Sequence, residues 1–293
     1  MAVTARMSGA GPHGGDDERA GNNDVIIDAH CHAGPGDGFT GPWDTDATLD
    51  RYLERADSAG IAHTLIFPAF HSDYAAANEI VARIVSSNRS RFSGLAFVHA
   101  LRDRGRILAM VTRAVRVHRF RGIKCHRYDA RITRELCDVA RALRVPVLYD
   151  VMGEVESVEL FAPQYKDVTF VIPHLGSFAD DWRAQHTFID ILARHDNVMT
   201  DTSGIRRFDL LNEAVRRAGP HKFIFGSDGP WLHPGLELAK TRALGLDPDA
   251  IAMIQSGNAI RVYRLGGDSA AHRGAPRLDG SGRYAEPPRR LAG

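Results

Sequence analysis

The stretch Val25-Ile26-Ile27-Asp28-Ala29-His30-Cys31-His32 decides how this chain is read. Val25 to Ala29 has the length and β-branched content of a buried strand. Side chains alternate along a strand, so His30 and His32 project together and Cys31 points the other way. Two imidazoles side by side at a strand end are a natural pair of metal ligands, because neutral imidazole suits zinc and its neighbours. Taken alone, the pair reads sooner as two loop histidines. The rest of the chain favours the ligand reading, because it supplies further His and Asp residues at the ends of other strands.

Outward from this stretch, apolar runs alternate with helical spacing. A helix opening at Thr48-Leu49 buries Leu49, Tyr52, Leu53 and Ala56 and stops at Gly60. Further strands are expected at His63–Phe67, Ser93–Val98, Phe120–Cys125, Val147–Tyr149, Val168–Ile172, Val198–Thr200 and Phe223–Phe225. The helices between them fall at Tyr74–Ser87, around Ile107–Val115, and at Thr133–Leu143, Val155–Phe161, Trp182–Arg194 and Leu210–Arg217. Two last helical stretches, Leu236–Leu244 and Pro248–Val262, follow the eighth strand. Eight βα units predict a parallel sheet, and in a core of this length a closed (β/α)8 TIM barrel fits best. An open doubly wound sheet is the alternative. It would need a phosphate turn after the first strand, and Gly34-Pro35-Gly36-Asp37-Gly38 does not match G-x-G-x-x-G.

Composition narrows the function classes. The chain has 293 residues, and a net charge of +1 gives no reason to expect a nucleic-acid or membrane partner. No apolar run approaches the ~18 residues that span a bilayer. The first residues lack the apolar core of a signal peptide, so a cytoplasmic protein is expected. Three cysteines, far apart and without C-x-x-C spacing, read as reduced packing residues. Residues 1–23 and 266–293 are rich in Gly, Arg and small residues without periodicity and are expected to be disordered tails around a catalytic barrel at 24–265.

In a barrel, functional groups come from the C-terminal ends of several strands, which meet at one face. This sequence places His30 and His32 after the first strand, His99 after the third, and Lys124 and His126, again co-facial, on the fourth. Asp150 ends the fifth, His174 follows the sixth, Asp201 the seventh and Asp228 the eighth. His63 begins a strand at the opposite face and reads as structural.

Three of these segments together, His30-x-His32, His174-Leu175-Gly176 and Gly226-Ser227-Asp228, resemble the amidohydrolase superfamily. They are most similar to the branch that includes aminocarboxymuconate-semialdehyde decarboxylase and resorcylate decarboxylases. The resemblance runs from about Val25 to Arg264. It implies a metal-dependent barrel enzyme with one divalent ion, zinc or manganese, acting on a small molecule as a homodimer or higher homo-oligomer. It assigns His30 and His32 as ligands, Asp228 as ligand and proton acceptor, and His174 as the group that polarises the substrate. One position departs from the branch: where its fifth strand usually ends in a ligating histidine, this chain has Asp150. An aspartate either ligates, with a shift toward manganese, or orients a ligating histidine. His126 is a further candidate ligand or substrate contact. Lys124 is a candidate substrate cation, with a metal-bridging carbamate as the alternative.

Such a set of residues describes hydrolysis of an amide, ester or activated C–C bond. A decarboxylase on the same scaffold is the first alternative, and a barrel that binds without metal is the second. Arg127, Arg131, Arg206, Arg207 and His233, with Phe39, Trp43, Phe70 and Trp231, fall in loops after strands. Of these, Arg127, Trp231 and His233 are expected, with Lys124, to contact an acidic or aromatic substrate.

Overall fold

Strand β1 (Ile26–Ala33) starts a sheet that runs in chain order through β2 (Ile61–Pro68), β3 (Phe92–Phe97), β4 (Gly122–His126), β5 (Val147–Asp150), β6 (Phe170–Ile172), β7 (Val198–Asp201) and β8 (Phe223–Ile224). These strands belong to a computed structural model that describes residues 25–38, 46–178 and 181–267. Every neighbouring pair is parallel. The ring is brought nearly closed between the first and last strands: the Ala29 amide donates to the Phe225 carbonyl at 3.0 Å, and the His32 amide donates to the Gly229 carbonyl. The architecture is the (β/α)8 barrel expected. The tail expected at 1–23 lies outside the described residues, as do Phe39, Trp43 and all of the tail expected at 266–293 except its first two residues, which fall in a short turn at Leu265–Gly267.

Helices α1 (Asp50–Ser58), α2 (Tyr74–Ser87), α3 (Ile107–Arg116), α4 (Arg134–Leu143), α5 (Val158–Phe161), α6 (Trp182–Arg194), α7 (Phe208–Ala218) and α8 (Pro234–Arg242) follow the successive strands. Their starts are chemically marked. Asp73 accepts the amides of Ala75 and Ala76 ahead of α2, and Asp181 accepts the Ala184 amide ahead of α6. The last stretch, expected as one helix, is three pieces: α9 (Pro248–Ala252), a π turn at Met253–Gly257 and α10 (Asn258–Tyr263). The π turn lets the Ile254 carbonyl reach the Phe225 amide, 2.8 Å away, where β8 has already ended.

Two apolar layers result from the pleat. Ile27, Ala29, Leu65, Phe67, Leu95, Phe97, Leu148, Val171, Met199 and Ile224 fill the barrel interior, and Ala259, Val262 and Tyr263 pack against them. The alternate residues, such as Ile66, Ala96, Ile123, Tyr149 and Phe170, face the helices. One irregularity positions the site. Asp28 pairs with Thr64, but Cys31 pairs with Ile66, so β1 carries one extra residue between them. This bulge shifts the phase of the strand. Ala29 belongs to the interior, and so do the rings of His30 and His32, which lie 5.2 and 4.6 Å from that of Phe67.

Asp28 fixes the bulge from outside. It is fully buried; its Oδ1 accepts the amides of His30 and Ser227 at 3.1 and 2.9 Å. Its Oδ2 accepts the Tyr52 hydroxyl at 2.7 Å and the Ser227 hydroxyl. Burial pushes its pKa up to about 6 against these four bonds. Each orphaned buried donor costs about 1–3 kcal/mol. Asp28→Ala is therefore expected to lower unfolding free energy by about 3 kcal/mol or more, measured by urea denaturation. A loss under about 1 kcal/mol would contradict this role for Asp28.

Candidate metal centre

The bulge in β1 presents His30 and His32 at the C-terminal rim, and the turn after β8 brings Asp228 to them. Asp228 Oδ1 lies 3.3 Å from His30 Nε2 and 3.5 Å from His32 Nε2. One ligand atom from each of the three residues falls within 4.8 Å of the others, with both histidines buried. Asp228 reaches this place from a left-handed backbone conformation (φ 56°), which an aspartate tolerates better than most residues. Gly226 makes room: a Cβ there would stand 2.8 Å from that of His30.

The far nitrogen of each ring sets its tautomer. His30 Nδ1 is 2.7 Å from Asp201 Oδ2, and His32 Nδ1 is 3.1 Å from the Pro68 carbonyl oxygen. Both partners accept, so both Nδ1 atoms carry a proton and the two Nε2 atoms, the ones left to bind a cation, face Asp228. A histidine whose other nitrogen donates to a carboxylate or carbonyl is the usual metal ligand. Burial works against charge on His30, as does Lys124, yet Asp201 and Asp228 carry its pKa up to about 9. Burial takes His32 down to about 4. Asp228 and Asp201 are both held below the ordinary carboxylate range, because His30 outweighs their burial. The buried carboxylates of Asp150 and Asp201 and the partly buried one of Asp228 outnumber the buried ammonium of Lys124. The donor set and its negative field fit a divalent cation, which would compete with the proton for His30 Nε2.

Asp201 also shapes the neighbouring turn. Its Oδ1 accepts the His174 amide at 3.3 Å, the Ser203 amide at 3.1 Å and the Ser203 hydroxyl at 2.6 Å. His174 (φ 60°) and Leu175 (φ 52°) are both left-handed. Such residues cost on the order of 1–3 kcal/mol each and persist only where the surroundings hold them. Here Gln185 donates to the carbonyls of His174 and Ser177, and the Leu175 amide donates to Thr200 Oγ1. His174 Nδ1 donates to the Ser203 carbonyl at 2.8 Å, which aims Nε2 at Asp150 Oδ2, 3.5 Å away.

A cavity of about 280 Å³ opens on these groups. It is lined by His30, His32, Lys124, His126, Asp150, His174 and Asp228, with Phe70, Met152, Phe178, Trp231 and Leu232 as apolar walls. The Trp231 ring centre is 4.4 Å from that of His32. A larger hollow, about 520 Å³, lies at the opposite end around His63. Both nitrogens of His63 are engaged there, by Ser90 and Ser93.

The sequence-derived residues thus divide. His30, His32 and Asp228 converge; His174, Lys124, His126, Asp150 and Trp231 share their cavity. Asp150 and His126 stand outside the ligand group and face each other, His126 Nε2 to Asp150 Oδ2 at 3.1 Å. Two expected substrate contacts lie elsewhere. Arg127 pairs with Glu154, which Arg131 also binds, and His233 caps α8 by accepting the Gly235 amide. In both cases a closer local partner takes the side chain. His99 likewise caps its own turn, accepting the amides of Leu101 and Arg102. Sequence reasoning missed Asp28, Ser203, Met152 and Phe178. Ser203 alone left a signal, as the second residue after Asp201.

Comparison with known proteins agrees with this construction. The amidohydrolase family profile matches residues 27–265. No curated protein matches the sequence. Among solved structures, an amidohydrolase from Burkholderia multivorans with bound zinc is 16% identical, with a TM-score of 0.70 over 82% of this chain and 99% of that one. 5-Carboxyvanillate decarboxylase from Sphingomonas paucimobilis is 15% identical, with a TM-score of 0.64 over 82% and 99%. A dihydroxybenzoic acid decarboxylase from a Polaromonas species, with manganese and 2-nitroresorcinol, is also 15% identical, with a TM-score of 0.60 over 82% and 97%. At these identities the likeness is one of fold. The family match covers most of the chain, and its two ends enclose every residue of the candidate centre: this protein belongs to the amidohydrolase family.

Proposed function

We propose that this protein is a metal-dependent hydrolase of the amidohydrolase type, with one divalent ion held by His30, His32 and Asp228. The observation that carries the reading is the convergence of two imidazole nitrogens and one carboxylate oxygen on the wall of a cavity. Three protein ligands leave a coordination position open, as catalytic sites do. Two imidazoles and a carboxylate suit zinc, and manganese is the alternative. Bound there, the ion supplies Lewis acidity for attack of water on an amide, ester or activated C–C bond.

The chain's own residues carry the protons. Asp228 turns one oxygen to the two histidines and keeps a second, which takes a proton from the attacking water and returns it to the leaving group. His174 brings a donor to the substrate carbonyl when Nε2 is protonated, and Asp150 beside it stabilises that proton. Lys124 and Trp231 bind the small-molecule substrate. A decarboxylase is the second reading, supported by the fold likeness to the carboxyvanillate and dihydroxybenzoate enzymes. Asp150, in place of the fifth-strand histidine, favours the hydrolase.

Purified protein is expected to carry about one divalent ion per chain by elemental analysis. Protein that holds none, and takes up none from added zinc or manganese, would end the proposal. A panel of aryl esters, lactones and amides, run beside hydroxybenzoates with carbon dioxide detection, separates the two reactions; release of carbon dioxide alone would replace hydrolase by decarboxylase. On the active substrate, Asp228→Asn should lower kcat by about 10²-fold or more.

Asp201→Asn should act through His30. An amide nitrogen facing Nδ1 moves the ring proton to Nε2 and blocks ligation there. Metal affinity should fall by about 10–100-fold, read by competition with a chromogenic chelator. Unchanged affinity would show that Asp201 does not set the tautomer.

A further inference from the structure

Strand β4 presents Lys124 and His126 on one face, two residues apart, to the same cavity. Lys124 is 1% exposed. Its ammonium rests 5.0 Å from the centre of the Phe67 ring and has no hydrogen-bond acceptor among the described residues. A buried ammonium without an acceptor is costly, and this one is aimed into a space that admits a small molecule.

Three carboxylates lie in its field, Asp150, Asp228 and Asp201. Asp201 and Asp150 are held by other donors, and Asp228 belongs to the proposed ligand set. Asp201 binds His30 and Ser203, and Asp228 faces His30 and His32. Asp150 is the register partner of His126 on the adjacent strand. Its Oδ1 accepts the Met152 amide at 2.8 Å, and its Oδ2 lies 3.1 Å from His126 Nε2. His126 in turn accepts the Tyr128 amide at Nδ1, 3.0 Å away. That bond leaves the ring proton on Nε2, where it is donated to Asp150. The ring is therefore wired opposite to His30 and His32 and has no lone pair for a cation in the cavity.

We propose that Lys124 is the anchor for an anionic group of the substrate, a carboxylate or similar oxyanion, and that His126 is the positioning residue that ties Asp150 away from it. The subsite rests on the reading of His30, His32 and Asp228 as the ion's ligands, and it gives the β4–β5 wall a substrate role in place of a ligand role. An anion on Lys124 supplies the missing acceptor through a charge-assisted bond. Without His126, Asp150 loses a donor and can turn to the ammonium, closing the subsite from within.

Calorimetric titration of benzoate and of its neutral isostere benzamide into the zinc- or manganese-loaded full chain tests this. Wild type should bind benzoate at least about tenfold more tightly than benzamide. In Lys124→Met the two should bind within about twofold of each other. His126→Phe should lose the preference in the same way, and His126→Gln, which keeps an N–H donor, should retain it. Metal content should be equal in all four proteins. A wild type without preference, or a preference that survives Lys124→Met, overturns the proposal, because the anion is then held by the ion or not at all. Loss of metal in His126→Phe also overturns it, by making His126 a ligand. Absence of metal from every sample, wild type included, would instead remove the proposed function.

Discussion

Asp201 is the carboxylate on which the rest of the centre depends. One oxygen takes the Nδ1 proton of His30, and the other gathers the His174 amide with the amide and hydroxyl of Ser203. A single buried charge thus orients a candidate ligand and holds the strained turn that carries the candidate acid. Neither group is adjacent to Asp201 in sequence. The barrel brings them together, because β7 lies beside β6 and, through the short β8, close to β1.

The direction of each hydrogen bond carries the chemistry of this rim. His30, His32 and His174 each have an acceptor at Nδ1, so Nε2 is the atom each turns to the cavity, free to exchange a proton for another partner. His126 has a backbone amide at the same atom and presents a proton instead. Four histidines around one cavity therefore fall into two chemical kinds. The carboxylates differ in the same way: Asp228 faces the Nε2 atoms of His30 and His32 and is suited to share a cation with them, whereas Asp150 already accepts from His126 and the Met152 amide, with His174 Nε2 beside it. The cost of leaving any of these groups unpaired in a buried rim keeps the arrangement fixed.

Much of the fold was legible in the sequence. Alternating apolar runs located all eight strands, and two-residue spacing put His30 with His32 and Lys124 with His126 on common faces. The bulge in β1 was not legible, because a strand with one extra residue has the same apolar pattern as one without. Nor was the difference between His126 and His174. Both sit at strand ends, and only the third dimension shows that one meets the Tyr128 amide and the other the Ser203 carbonyl. Arg127 and His233 looked like substrate contacts by position, but a local partner, Glu154 or the Gly235 amide, was closer than the cavity. Met152 and Phe178 enter the wall through backbone features that sequence only hints at. Met152 is left-handed (φ 48°), and Gly204 has no side chain, where a Cβ would strike Phe178 at 2.7 Å.

The central claim is that one cation is held by two imidazoles from the first strand of the barrel and a carboxylate from the turn after its last. Anomalous diffraction at the zinc edge, from crystals of the zinc-loaded protein, tests it most directly. The account predicts a single peak bounded by His30 Nε2, His32 Nε2 and Asp228, with His126 and Asp150 still bonded to each other. A peak between His126 and Asp150, or none at the three predicted ligands, would contradict it.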